Sequence, residues 1–152
     1  MFGRVLNGFR PKRLQDPIFG KLLFMRAKDS ARSYWEGKGV FAPLGNEIEF
    51  FIEADEAGPG EKQHELYRQI ASKFDQLMMT VAPFLQREYE ANTNAPCPPD
   101  ISGVFRLDSL SIPKKESDDM EWEMGFSCND SDDWLFTMQM RGWQPTGISV
   151  MH

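Results

Sequence analysis

Cysteine is scarce in this 152-residue chain, which has two. Cys97 lies in a Pro-rich stretch and Cys128 ends an alternating apolar run, with no CxxC spacing. That excludes a disulfide scaffold and a thiolate zinc ribbon, and it points to a reduced, cytoplasmic protein. A single Cys97–Cys128 bridge remains an open alternative. Histidine is equally scarce. Zinc needs three or four ligands, and His64 with the terminal His152 cannot assemble them. Any Ser-His-Asp or Cys-His arrangement would have to use His64, whose ordinary reading is a helix-surface side chain.

Other absences narrow the chemistry further. The stretch EAGPGEK, ending at Lys62, lacks the GxxxxGK[ST] spacing of a phosphate loop, and residue 63 is Gln. It reads as the end of a strand and the start of a helix. No cofactor motif is present. No apolar run approaches the ~20 residues of a membrane-spanning helix. The first thirteen residues, MFGRVLNGFRPKR, contain no acid, and they lack the apolar centre and cleavage site of a secretory peptide. They read as a solvated basic tail, with a short amphipathic membrane arm as the alternative.

What is present describes one packed domain. A chain of this length buries roughly 70% of its unfolded surface without metals or disulfides. The net charge of −6 is unevenly spread. Residues 1–28 carry seven Lys/Arg and one acid, whereas the rest carry ten bases and 22 acids. An acidic body of net −12 repels a phosphate backbone, so no nucleic-acid partner is expected and a basic protein surface is the better match.

The apolar periodicity predicts three strands first, over residues 18–26, 33–41 and 46–54. In the second, SYWEGKGVF, two glycines imply close approach of a neighbouring backbone or a bulge. Leu66, Ile70, Phe74, Leu77, Val81 and Leu85 then mark one long helix, with Pro83 expected to kink or split it near residues 80–82. After the Pro-rich NTNAPCPPD come four more strands, over residues 103–112, 120–128, 134–141 and 147–151. The expected fold class is α+β. A strongly bent antiparallel sheet of about seven strands, in a three-strand and a four-strand meander, packs with one long, Pro-kinked helix. Residues 1–15 are assigned to the tail and residues 16–152 to the domain. Open sheet edges would allow a homodimer by edge pairing.

Candidate sites are few. Asn129–Asp133, between two alternating strands, fits a polar hairpin loop; read as a calcium loop, it places Trp134 where Gly is needed and Met140 where Glu is needed. No metal site is therefore assigned, and a weak cation site there stays an alternative. Glu121 and Glu123 alternate with core residues and should face solvent. Glu36, within YWEGKG, is the one carboxylate that an adjacent Trp could desolvate. Trp122 and Trp134 fall on core faces. Tyr34, Trp35 and Trp143 stand beside turns or glycines, where exposed aromatics would anchor a binding surface.

The stretches QDPIFGKLLF, SYWEG, EIEFFIEAD followed by Gly-Pro, and RGWQPTGISV resemble those of a group of small bacterial proteins. The matching motifs are Asp16–Gly20, Trp35–Gly37, Gly58–Gln63 and Gly142–Ser149, and the likeness covers most of residues 15–151. The group carries no activity to transfer and no shared catalytic motif. Small α+β proteins of related appearance occur as immunity proteins for bacterial toxins. The combined expectation is a non-enzymatic protein-binding module, of the type of an immunity inhibitor for a basic toxin, with Tyr34, Trp35, Glu36 and Trp143 as binding residues. The alternative is a small-ligand-binding protein or hydrolase-like enzyme, with Glu36 in a pocket between helix and sheet.

Overall fold

The computed structural model describes residues 12–129 and 131–152. Most of the basic tail, Asp130 and the side chains of Ser30, Ser131 and Asp132 lie outside the described residues, and the cation question at Asn129–Asp133 lies there with them. The class is α+β. Eight strands form one open sheet in sequence order: β1 (Arg13–Asp16), β2 (Gly20–Met25), β3 (Tyr34–Phe41), β4 (Asn46–Glu53), β5 (Phe105–Ile112), β6 (Glu121–Cys128), β7 (Ser131–Arg141) and β8 (Gln144–Met151). Two helices, α1 (Glu61–Ser72) and α2 (Phe74–Thr93), lie between β4 and β5 in the chain.

Three details correct the expectation. An eighth strand exists because β1 is only four residues long, too short and polar to show alternation, yet it pairs with β2 from Arg13 to Asp16. Residues 13–15, placed with the tail, therefore belong to the sheet. The sheet is also mixed rather than wholly antiparallel: β4 and β5 run parallel. A parallel neighbour needs a crossover of a dozen or more residues, and α1 with α2 supplies it.

The helix breaks at Lys73 (φ −97°, ψ 7°), and Pro83 sits inside α2. The break is invisible to periodicity because one residue leaves the helix while the apolar phase from Ile70 to Phe74 and Leu77 continues across it. Pro83 is accommodated because the donor it lacks would have served Met79, an exposed residue.

Alternation places Leu22, Trp35, Phe50, Ile52, Leu110, Trp122, Met124, Phe136 and Met138 on one sheet face, all buried. Leu66, Ile70, Phe74, Leu77, Val81 and Leu85 are the buried helix residues set against it. Phe19 joins the layers through edge-to-face contacts with Phe50 (5.2 Å) and Tyr67 (5.6 Å). The two β3 glycines are required by close approach. A Cβ on Gly37 would stand 2.1 Å from the Lys21 carbonyl oxygen, and one on Gly39 would stand 2.7 Å from that of Phe19.

Gly37→Ala should therefore lose about 2 kcal/mol or more in urea unfolding, since backbone must shift to admit the methyl. Gly103→Ala, where the added Cβ meets nothing within 4 Å, should stay within about 0.5 kcal/mol of wild type.

Candidate functional site

The four sequence-selected residues do not form one site. Trp35 is 0% exposed; its indole N–H donates to the Asp55 carbonyl at 2.7 Å, and its ring packs on Phe24 at 5.0 Å. It belongs to the core, so its place in a contact surface is corrected: in a strand it must point opposite to Tyr34 and Glu36, and its face is the one the helices cover. Trp143 lies at the β7–β8 turn. Its Nε1–H donates to Glu116 Oε2 at 3.1 Å, and the Lys73 ammonium sits 4.0 Å from its ring centroid. That contact ties the β7–β8 turn to the α1–α2 junction and leaves Trp143 half-buried.

Tyr34 and Glu36 point to the other sheet face, which no helix or strand covers among the described residues. The register builds that face. Tyr34 lies opposite Glu53, Glu36 opposite Phe51, Lys38 opposite Glu49 and Val40 opposite Glu47. On the far side of β4, Ser111 is beside Phe51, and the Glu123 amide donates to the Ser111 hydroxyl at 2.7 Å. A hollow of about 340 Å³ forms among Arg32, Tyr34, Phe51, Glu53, Ser111 and Glu121. The Tyr34 and Phe51 rings meet edge-on at 6.3 Å, and both are half-buried. Six carboxylates, of Glu36, Glu47, Glu49, Glu53, Glu121 and Glu123, thus share the face with two aromatic rings and with the cations of Arg13, Lys21, Lys38 and Arg141. Burial first, then the charge of Glu36 and the hydrogen bond it accepts, push the Tyr34 phenol above its ordinary value of 10.0.

Glu36 does not lie between helix and sheet, which corrects the pocket expected for it. It borders an open hollow over β1–β3, with Arg13, Gln15, Lys21 and Leu23. His64 is on the opposite side of the sheet, where its Nε2 is 2.8 Å from Asp16 Oδ1. A separate groove of about 570 Å³ does exist between α2 and β5. Phe74, Met78, Met79, Ile101 and Phe105 line it, with Asp75, Asp100 and Arg106 as its charged residues. Neither Glu36 nor His64 is among its lining. Among the described residues, no group of three or more His, Cys, Asp or Glu is placed to hold a metal ion.

The motif residues serve the fold. Asp16, 3% exposed, accepts the Ile18 and Phe19 amides at 2.9 and 2.8 Å through Oδ2 and meets His64 through Oδ1. One carboxylate thereby closes the β1–β2 turn and ties it to α1. Gln63 accepts the Gly60 amide and donates to the Glu53 carbonyl, both at 2.9 Å, which locks the start of α1 to the end of β4. Gly142 (φ +57°) turns β7 into β8, and its carbonyl accepts the Trp122 indole at 2.7 Å. Sequence reasoning missed the Asp16–His64 tether because the partners are 48 positions apart. Phe51 was missed because it sits in the apolar run FFI, which hides which residue faces out.

Removing the Asp16 carboxylate leaves two amides and an imidazole without their acceptor. Asp16→Ala should cost about 3 kcal/mol, and a double-mutant cycle with His64→Ala should give a coupling of about 1 kcal/mol. At alkaline pH the fold prefers neutral Tyr34, so the unfolded chain loses that proton first. Stability held below pH 10 should fall as pH rises through the elevated phenol pKa, and Glu36→Gln should lessen the fall, as followed by tyrosinate absorbance and thermal melts.

No protein-family model, curated protein or solved structure matches this chain.

Proposed function

We propose that the protein is a non-enzymatic binding module, of the immunity-inhibitor type, that docks the helix-free face of its sheet onto a basic protein. The carrying observation is the placement of Glu36, Glu47, Glu49, Glu53, Glu121 and Glu123 around the half-buried Tyr34 and Phe51. Aromatic side chains in a hollow are the usual energetic anchors of an interface, and rim carboxylates steer a cationic partner and reject an anionic one. An Arg or Lys entering between Glu53 and Glu121 would meet both carboxylates above the two rings. The group of small bacterial proteins that the chain resembles carries no activity to transfer, but the analogy with small α+β immunity proteins favours the same reading, and the scarcity of cysteine fits a cytoplasmic setting.

The test begins with affinity capture from the native host and identification of whatever co-purifies in stoichiometric amount. The captured protein should be basic, and its affinity should fall as salt is added. Tyr34→Ala with Phe51→Ala should weaken it at least tenfold, mainly through faster dissociation. Glu47→Gln with Glu49→Gln should instead slow association. A captured protein that is acidic, or that binds equally well to both variants, would sink the proposal.

A second reading, a small-ligand-binding protein, is favoured by the α2–β5 groove, whose volume of about 570 Å³ is in the range of ligand sites. It would use Phe74, Met78 and Phe105 rather than Glu36. A screen of apolar fluorophores against wild type and Ala82→Trp, which should fill the groove, separates it from the first reading.

A further inference from the structure

The eight residues of β8, QPTGISVM, contain no charged side chain, yet β8 is an outer strand of the sheet with β7 as its strand partner. Natural edge strands are commonly guarded by brevity, by charge or by an inserted proline, because their outward amides and carbonyls are ready to pair. The opposite edge follows that rule: β1 has four residues, two of them charged, Arg13 and Asp16. In β8 the guards are Pro145, which withholds a single donor, and the bulge beside it at Thr146, and together they leave Gly147–Met151 able to pair.

The exposed apolar side chains gather at the same place. Of five large apolar residues exposed among the described residues, Leu135 and Met151 lie at this edge and Met79 lies near its start. Met151 (68% exposed) and its cross-strand neighbour Leu135 (39%) lie on the helix-free face. Met79 (77%) lies on the helix side, where it shares a hollow with Trp143 and Gln144 at the start of β8. Among the described residues no second strand pairs with β8, and apolar side chains lie to either side of it.

We infer that β8 pairs antiparallel with β8 of a second copy, across a twofold axis, to form a continuous sixteen-stranded sheet. The occupant is a second copy for two reasons. An uncharged strand offers no side-chain charge with which to select a different partner, and it brings no like charges together when it meets itself. An antiparallel strand pair is also isologous, so each contact is made twice and the assembly closes. The two α2 helices would then lie on the same side of the joined sheet. This inference does not depend on the acidic face.

Sedimentation velocity across a concentration series should show a monomer–dimer equilibrium. Because both copies carry net charge −6, added salt should hold or tighten the dimer, opposite to its effect on a basic partner. Ser149→Lys with Met151→Lys, both at exposed positions, should weaken dimerisation at least tenfold, or about 1.4 kcal/mol, with an unchanged thermal midpoint at concentrations where wild type is monomeric. In wild type, amide exchange within Gln144–Met151 should slow as concentration rises, while that of Arg13–Asp16 should not change. A protein that stays monomeric at every concentration would overturn the inference. So would a dimer whose concentration-dependent protection falls outside β8.

Discussion

The crossover through α1 and α2 has to bring the chain back beside β4 in the same direction, and it must do so over one side of the sheet. Two helices can cover one face, so alternation along eight strands divides the protein into a buried layer and an open one. Phe50 and Phe51 show the division at its sharpest: adjacent in β4, the first is 0% exposed under the helices, and the second lines an open hollow. The charged character of the outer face follows, because the helix-side positions of β3–β6 are taken by Trp, Phe, Ile, Leu and Met. Glutamate is left to the other side.

The tethers that hold the helices in place are few and local in chemistry, but they join distant parts of the chain. Asp16 with His64 fixes the first hairpin to α1, Gln63 fixes α1 to β4, and Trp143 fixes the last hairpin to the α1–α2 junction. A buried acid beside a histidine and a tryptophan beside a glutamate, arrangements that resemble chemistry once the chain is folded, are spent on these joints. The helix-free face is left with carboxylates, cations and the two half-buried rings of Tyr34 and Phe51.

Much of the fold was legible in the sequence. Ile48, Phe50 and Ile52, and then Trp122, Met124 and Phe126, alternate cleanly because a half-buried strand obeys a period of two. The helix stripe from Leu66 to Leu85 is equally plain. The short β1 was not legible, since four residues carry too little pattern. The parallel β4–β5 contact was not legible either, because side-chain alternation is the same in parallel and antiparallel strands when one face is open. At the candidate site, Tyr34 and Glu36 could be singled out from their neighbours. Trp35 was misread for a physical reason: flanking glycines mark close backbone approach, and an open surface and a tight core both produce that.

The sequence by itself determined the α+β class, the acidic body and most of the core, because these rest on composition and on periods of two and 3.6 that need no partner. The tertiary structure decided that the Asn129 amide donates to the Val104 carbonyl, and that Tyr34 and Phe51 come together across strands. It also decided which strands lie at the sheet's edges. Those outcomes depend on which strands become neighbours, and strand order is set by how the helices cross the sheet rather than by any local pattern of residues.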